Sequence, residues 1–145
     1  DAFLIVPRAN ATDEFFAKVR IEMKQHPFSP MRVASFQPDD YGEQYAIDHL
    51  RQDTDSMTDV REIRSLDDAR AAFSGVQTVI AQRYHGALIA LLLGIPCTSI
   101  PQGPDDKLTS LRSMTINVKD LVARAQGAEE ALKKALSSLG STGGA

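Results

Sequence analysis

Short apolar runs alternate with longer amphipathic stretches along this chain. Apolar runs of strand length occupy residues 3–7, 31–36, 60–63, 76–82 and 95–100. Stretches of helical period follow them at residues 12–25, around 45–50, from 65 to 74 and at 86–93. This alternation of strands and helices, with short connections, predicts an α/β fold with a doubly wound, Rossmann-like parallel sheet.

Residues typical of helix ends mark several of these boundaries. Thr12 and Ser65 are predicted N-caps, and Gly75 is predicted to follow the C-terminus of a helix. Tyr45, Ile47 and Leu50 are assigned to the apolar side of the second helix. The runs 76–82 and 95–100 are apolar on both faces, as central parallel strands are, whereas 60–63 is short and charged enough for an edge.

Beyond residue 100 the pattern predicts a helix through Leu111, a last strand at 115–118 and an amphipathic helix at 119–139. The chain begins at Asp1 and enters an apolar strand almost at once. We therefore expect residues 1–140 to form a single Rossmann-like C-terminal domain, residues 141–145 to be a disordered tail and an N-terminal domain to be missing.

The amino-acid composition of the chain excludes several classes of function. Sixteen Lys and Arg against 19 Asp and Glu give a net charge of −3, and no basic run occurs, so we expect no nucleic-acid partner. The longest apolar run is far shorter than the ~18 residues of a transmembrane segment. Cys97 is the single cysteine and is predicted to be a small buried residue. Neither a metal cluster nor a Gly-rich phosphate loop is found.

The stretch Arg83-Tyr84-His85-Gly86 carries the candidate chemistry. It stands where an apolar strand runs into an apolar helix, at the sheet edge where α/β proteins bind ligands. Backbone N–H groups at a helix N-terminus attract anions, Arg83 adds a permanent charge, and His85 can exchange a proton near neutral pH. These features predict an anion-handling site. The alternatives are an Arg83 that bridges a neighbouring acid and a His85 that is simply buried.

The region from Gln82 to Lys107 resembles one enzyme family. The resemblance is carried by Arg83-Tyr84-His85-Gly86, the apolar helix after it, Gly94-Ile95-Pro96, Ser99-Ile100 and Asp106-Lys107-Leu108. These motifs are similar to the C-terminal half of the polysaccharide pyruvyltransferases. The resemblance implies one half of a two-domain enzyme whose architecture is like that of B-type glycosyltransferases.

Such enzymes transfer pyruvate from phosphoenolpyruvate to two hydroxyls of a sugar, as a ketal. The resemblance therefore implies phosphoenolpyruvate as donor substrate, no cofactor and a saccharide acceptor, free or lipid-linked, held by the missing N-terminal domain. The best-known bacterial members modify the cell-wall polymer that anchors S-layer proteins, while others act on exopolysaccharide. A cytoplasmic protein working at the inner face of the membrane is expected.

The resemblance also implies roles for individual residues. His85 is expected to be the catalytic acid that protonates the donor. Expected to bind substrate are Arg83, Tyr84 through its backbone, Gly86, Arg8 and Lys107. Asp39 or Asp40, after the second strand, could accept a hydroxyl proton, with a solvated turn as the alternative reading.

Two other function classes stay open. The first is a sugar-nucleotide-dependent glycosyltransferase domain, which binds diphosphate at the same helix N-terminus. Such domains usually hold ribose with an acid inside that helix, and residues 87–93 contain none. The second is a non-catalytic carbohydrate-binding or interaction module, which burial of both Arg83 and His85 would favour.

Overall fold

Five strands and four helices alternate along the chain. The computed structural model describes residues 2–53, 59–103, 106 and 108. The elements are β1 (Ala2–Val6), α1 (Asp13–Gln25), β2 (Met31–Ser35), α2 (Tyr41–Asp53), β3 (Asp59–Glu62), α3 (Leu66–Phe73), β4 (Val76–Ala81), α4 (Tyr84–Leu92) and β5 (Cys97–Ser99). Lys107, the predicted strand at 115–118, the helix at 119–139 and the tail at 141–145 lie outside the described residues.

The strands form one parallel sheet in the order β3-β2-β1-β4-β5. Its centre is β1, which pairs with β2 through Leu4 and Arg32 and with β4 through Val6 and Ala81. This order is that of a doubly wound Rossmann-like sheet, so the predicted fold class is confirmed. Of the strands described here, β3 lies at one edge, as predicted, and β5 lies at the other.

Both faces of the sheet are buried. Neighbouring side chains of β1 and β4 point to opposite faces, and helices cover each face. On one face Ile5 and Ile80 pack against α1 and α2. On the other face Leu4 and Val79 pack against α3 and α4. The central strand β1 therefore carries no polar side and reads as a continuous apolar run in the sequence.

Local signals at several helix ends are confirmed. The Thr12 side chain accepts a hydrogen bond from the backbone N–H of Phe15, and Ser65 does the same for Asp68. Gly75 follows α3 with φ +68°, a left-handed conformation that favours glycine. These caps depend on neighbouring residues alone, which is why the sequence reveals them.

Helix α4 begins at Tyr84 rather than at Gly86. Arg83 has extended backbone angles and occupies the N-cap position. Arginine is not a preferred N-cap and glycine is a poor helix former, so no local signal in the sequence marks this earlier start. Tyr84 and His85 therefore lie in the first turn of the helix.

Two burial predictions were wrong. Tyr45 is 74 % exposed, whereas Ile47 and Leu50 are buried as predicted and share their side of α2 with Ala46. Cys97 is only half-buried, because β5 lies at the end of the described sheet.

Arg32 joins β2 to the C-terminus of α3. Its Nη1 donates to the carbonyl oxygens of Ala72 at 2.6 Å and Ser74 at 2.9 Å. A cation beside the last carbonyls of a helix also interacts favourably with the helix dipole. This contact ties β2 and α3 together at the N-terminal edge of the sheet, opposite the candidate site.

Candidate active site

The order of the strands reverses between β1 and β4. From β1 the chain runs outward through β2 to β3, and it then returns to place β4 and β5 on the other side of β1. The helices that follow β1 and β4 lie on opposite faces, so a crevice forms between the C-terminal ends of these strands. Ligands of doubly wound proteins bind in such a crevice. Arg8 follows β1 there, and Arg83 to His85 follow β4.

A reciprocal pair of hydrogen bonds joins the two sides of this crevice. The side-chain oxygen of Gln82 accepts from the backbone N–H of Thr12 at 3.0 Å, and its Nε2 donates to Thr12 Oγ1 at 2.8 Å. Gln82 is fully buried. The end of β4 is thereby fixed to the N-cap of α1, and the residues that follow Gln82 start from a defined position.

Arg83 is buried beside an acid. Its side chain is 1 % exposed, and its Nη2 lies 2.8 Å from Oε2 of Glu43, which is 0 % exposed. The same Nη2 donates to Oε1 of Gln37 at 3.3 Å. These contacts are those expected if Arg83 bridges a neighbouring acid. A role for Arg83 in binding substrate is a proposal.

Glu43 is the residue of this site that sequence reasoning missed. Its carboxylate accepts from Ser35 Oγ at 2.5 Å and from the backbone N–H of Gln37 at 3.1 Å, besides Arg83. It lies in the first turn of α2 and reaches the end of β2. The sequence shows an acid early in a helix and a serine at the end of the preceding strand. Neither feature indicates that Glu43 has a partner 40 residues away.

Burial and neighbouring charges act on the pKa of Arg83. Burial lowers the pKa of the guanidinium, the Glu43 carboxylate opposes that shift, and the cation of Arg8 adds to it. Arginine nevertheless stays charged, because a guanidinium group is not deprotonated in proteins.

His85 lies in the first turn of α4 and is 3 % exposed. Its ring meets that of Tyr84 edge to face, with 5.6 Å between the ring centroids. Tyr84 is half-buried. Since Arg83 and His85 are both buried, this part of the geometry favours the non-catalytic alternative.

Gly86 sits where α4 crosses β1. A Cβ at this position would lie 2.5 Å from Cγ1 of Val6, closer than real Cβ contacts allow. Val6 is itself fully buried. Glycine is therefore needed here for packing, since it lets the N-terminus of α4 approach the end of β1.

Arg8 is the more accessible cation. Its side chain is 34 % exposed, and Nη1 lies 3.7 Å from Oδ2 of Asp106, which is 7 % exposed. Asp106 immediately precedes Lys107, the candidate anion ligand outside the described residues. The structure thus brings Arg8 and Arg83 to the C-terminal end of the sheet. Asp106, from the loop after β5, lies there as well.

The two acids after β2 take part in local structure. Asp40 accepts from the backbone N–H of Gly42 at 2.7 Å, at the start of α2. Asp39 is exposed and pairs with Arg64 at 3.2 Å. A hydrogen bond from Arg64, together with its charge, lowers the pKa of Asp39. These contacts agree with the alternative in which the two acids belong to a turn. None of the contacts described gives Asp39 or Asp40 the role of proton acceptor.

No group of three or more His, Cys, Asp or Glu side chains is arranged to hold a metal ion in the described part of the chain. Within the same part, no helix combines the length and the apolar character needed to cross a bilayer.

The geometry defines an α/β protein with two arginines and a helix N-terminus at the point where its strand order reverses. The chain belongs to the polysaccharide pyruvyl transferase family, whose model matches residues 14–104, more than half of its length. The match spans Glu43, Arg83 and His85. Neither the curated proteins nor the solved structures give a significant match. Family membership makes the chain part of a transferase lineage and supports pyruvate transfer to a polysaccharide.

Proposed function

We propose that this chain supplies the phosphoenolpyruvate-binding half of a polysaccharide pyruvyltransferase, with a second domain holding the acceptor. The observation that carries the proposal is that Arg8 follows β1 and Arg83 follows the neighbouring β4, at the N-cap of α4, in a chain of this family. Phosphoenolpyruvate brings a phosphate and a carboxylate. Two guanidinium groups and the N–H groups of a helix start suit those two anions.

The reaction needs one proton donor. A sugar hydroxyl attacks C2 of phosphoenolpyruvate and gives up its proton, while the methylene carbon takes up a proton and becomes a methyl group. Phosphate then leaves with the electrons of its C–O bond. A second hydroxyl attacks the same carbon, loses its proton and closes the ketal. His85 is the proposed donor of the first proton, because imidazole loses and regains a proton near neutral pH.

The burial of Arg83 and His85 limits how a substrate can reach them. Arg83 is 1 % and His85 is 3 % exposed, whereas the Arg8 side chain is 34 % exposed. An incoming anion therefore meets Arg8 first, and it reaches Arg83 and His85 only after the neighbouring loops move. Tyr84 and Gly86 support binding by placing the backbone N–H groups of the helix start, and Lys107 is a third proposed cation.

The proposed acceptor is a sugar of a cell-surface polysaccharide. The cell-wall polymer that anchors S-layer proteins and the exopolysaccharides are two such acceptors, and a lipid-linked precursor at the cytoplasmic face of the membrane would be the form that the enzyme meets. In this proposal phosphoenolpyruvate is the donor substrate and no cofactor takes part.

The burial of Arg83 and His85 favours a second candidate, a non-catalytic carbohydrate-binding or interaction module. In that case the Arg83–Glu43 pair would serve the fold alone. A sugar-nucleotide-dependent glycosyltransferase is the third possibility. It is disfavoured because α4, from Tyr84 to Leu92, carries no acid that could hold a ribose.

Isothermal titration of the full-length protein separates these functions. The titrants are phosphoenolpyruvate, a panel of nucleotide sugars and oligosaccharides without a donor. Binding of phosphoenolpyruvate together with ketal formation on a polysaccharide acceptor supports the proposal. Binding of saccharide alone would favour the module, and binding of a nucleotide sugar alone would favour the glycosyltransferase.

A further inference from the structure

Gln102, in the loop after β5, bonds to the loop after β1. Its Nε2 donates to the carbonyl oxygen of Ala9 at 2.7 Å and to that of Asn10 at 3.0 Å. β1 and β5 are not neighbours, because β4 lies between them. Two strand spacings amount to roughly 10 Å. The loop that carries Gln102 therefore crosses the C-terminal end of β4, where Arg83 begins the candidate site.

The turn that Gln102 holds has an uncommon backbone. Asn10 has φ +60°, and it is the one residue other than glycine with a positive φ in the described part of the chain. Asparagine tolerates this left-handed conformation better than most residues, yet such a turn persists only when its surroundings hold it. The amide of Gln102 has two N–H groups, and its two contacts here are with this turn.

Asp106 adds a second connection between the same loops. Its Oδ2 accepts from the backbone N–H of Gln102 at 2.9 Å and faces Arg8 at 3.7 Å. Its Oδ1 accepts from the backbone N–H of Leu108 at 3.0 Å. The loop after β5 thus contacts both the backbone of the turn after β1 and the side chain of Arg8.

We propose that Gln102 is a positioning residue for Arg8. By fixing the carbonyls of Ala9 and Asn10, it holds the backbone from which Arg8 reaches the crevice. A cation held in place loses less freedom when it binds an anion, so affinity improves without a new contact. As a statement about the donor substrate, this inference rests on the proposed function.

The test compares Gln102→Ala and Gln102→Glu in the full-length protein. Alanine removes both donors, and glutamate places a carboxylate against two carbonyl oxygens. We expect both variants to raise the KM for phosphoenolpyruvate by about fivefold to tenfold, the equivalent of one net hydrogen bond. The kcat should stay within about twofold, because the groups that react are unchanged. Gln52→Ala, exposed near the end of α2, is the matched control and should leave both constants unchanged.

A double-mutant cycle with Arg8→Ala tests whether Gln102 acts through Arg8. If it does, Gln102→Ala adds nothing to the KM of the Arg8→Ala variant. Full additivity of the two effects would overturn the inference, as would a KM for Gln102→Ala equal to that of the wild type.

A third measurement needs no substrate. Phenylglyoxal modifies exposed arginines, and mass spectrometry of peptides gives the rate at Arg8 relative to the exposed Arg51. Gln102→Ala should raise that ratio, because Arg8 is then held less firmly. An unchanged ratio would overturn the inference even if the protein binds phosphoenolpyruvate. Conversely, a wild-type protein that binds no phosphoenolpyruvate would contradict the proposed function, while a raised ratio would still support the positioning of Arg8.

Discussion

Glu43 and Arg83 form a buried ion pair, with 2.8 Å between Oε2 and Nη2 and exposures of 0 % and 1 %. The pair connects the first turn of α2 to the N-cap of α4. A buried ion pair adds little net stability compared with apolar residues, but the loss of one partner leaves a charge uncompensated. The pair therefore makes the fold sensitive to single changes at either position.

Glu43→Gln should lower the free energy of unfolding by about 3–5 kcal/mol, because it leaves the Arg83 charge buried without a counter-charge. Chemical denaturation monitored by circular dichroism measures the change. The double variant Glu43→Gln with Arg83→Met should recover much of the loss, since it removes both charges. Glu62→Gln, at an exposed edge strand, is the control and should change stability little. Equal losses at positions 43 and 62 would contradict this account.

Arg83→Lys should weaken phosphoenolpyruvate binding by on the order of tenfold to a hundredfold in the full-length protein, the equivalent of one charge-assisted hydrogen bond. Lysine keeps a positive charge for Glu43, so the variant should fold. An ammonium group cannot offer two parallel N–H groups to an anion, which is the reason for the loss. Calorimetric titration measures the affinity, and an unchanged Kd would assign Arg83 a purely structural role.

His85→Gln should leave the fold and much of the phosphoenolpyruvate affinity intact, since an amide still forms hydrogen bonds. Turnover should fall by ~10²–10⁴, because an amide has no proton to give to the methylene carbon. Mass spectrometry in deuterated water should also show slower labelling of the ketal methyl group. Turnover and labelling at wild-type rates would limit His85 to binding and direct the search for the donor to Lys107, Asp39, Asp40 or another domain.

Gly86→Ala should destabilise the chain by about 1–3 kcal/mol, the usual cost of overpacking, because the new methyl group would meet Val6. Gly103→Ala is the matched control, since a Cβ there has nothing within 4 Å. Thermal unfolding of the two variants is the measurement. If Val6→Ala restores the stability of Gly86→Ala, the contact itself is responsible, whereas a neutral Gly86→Ala would show that α4 can shift away from β1 freely.

Local chemistry explains which parts of the structure could be predicted. Thr12, Ser65 and Gly75 act on neighbouring backbone groups, so each marks a helix end in the sequence itself. The apolar runs of β1 and β4 likewise identify strands covered on both faces. The parallel order of the sheet follows from this alternation and from right-handed connections.

The environment of the candidate site depends on contacts between distant residues. Arg83 could be placed at the correct sheet edge, but its partner Glu43 is 40 positions away and belongs to no motif. The contact between Gln102 and Ala9 spans 93 positions. Burial of Arg83 and His85 follows from such contacts, and for that reason it could not be predicted from the spacing of residues.

The contacts of Arg32 constrain how the molecule can move. Arg32 bonds to Ala72 and Ser74, and the backbone N–H of Ala2 bonds to the carbonyl of Gly75. These bonds fasten the C-terminal end of α3 to the N-terminal ends of β1 and β2. Sliding of α3 along the sheet would break them all at once. These bonds do not restrain the loops that leave β1, β4 and β5 at the opposite ends of the strands, so those loops can move without breaking them.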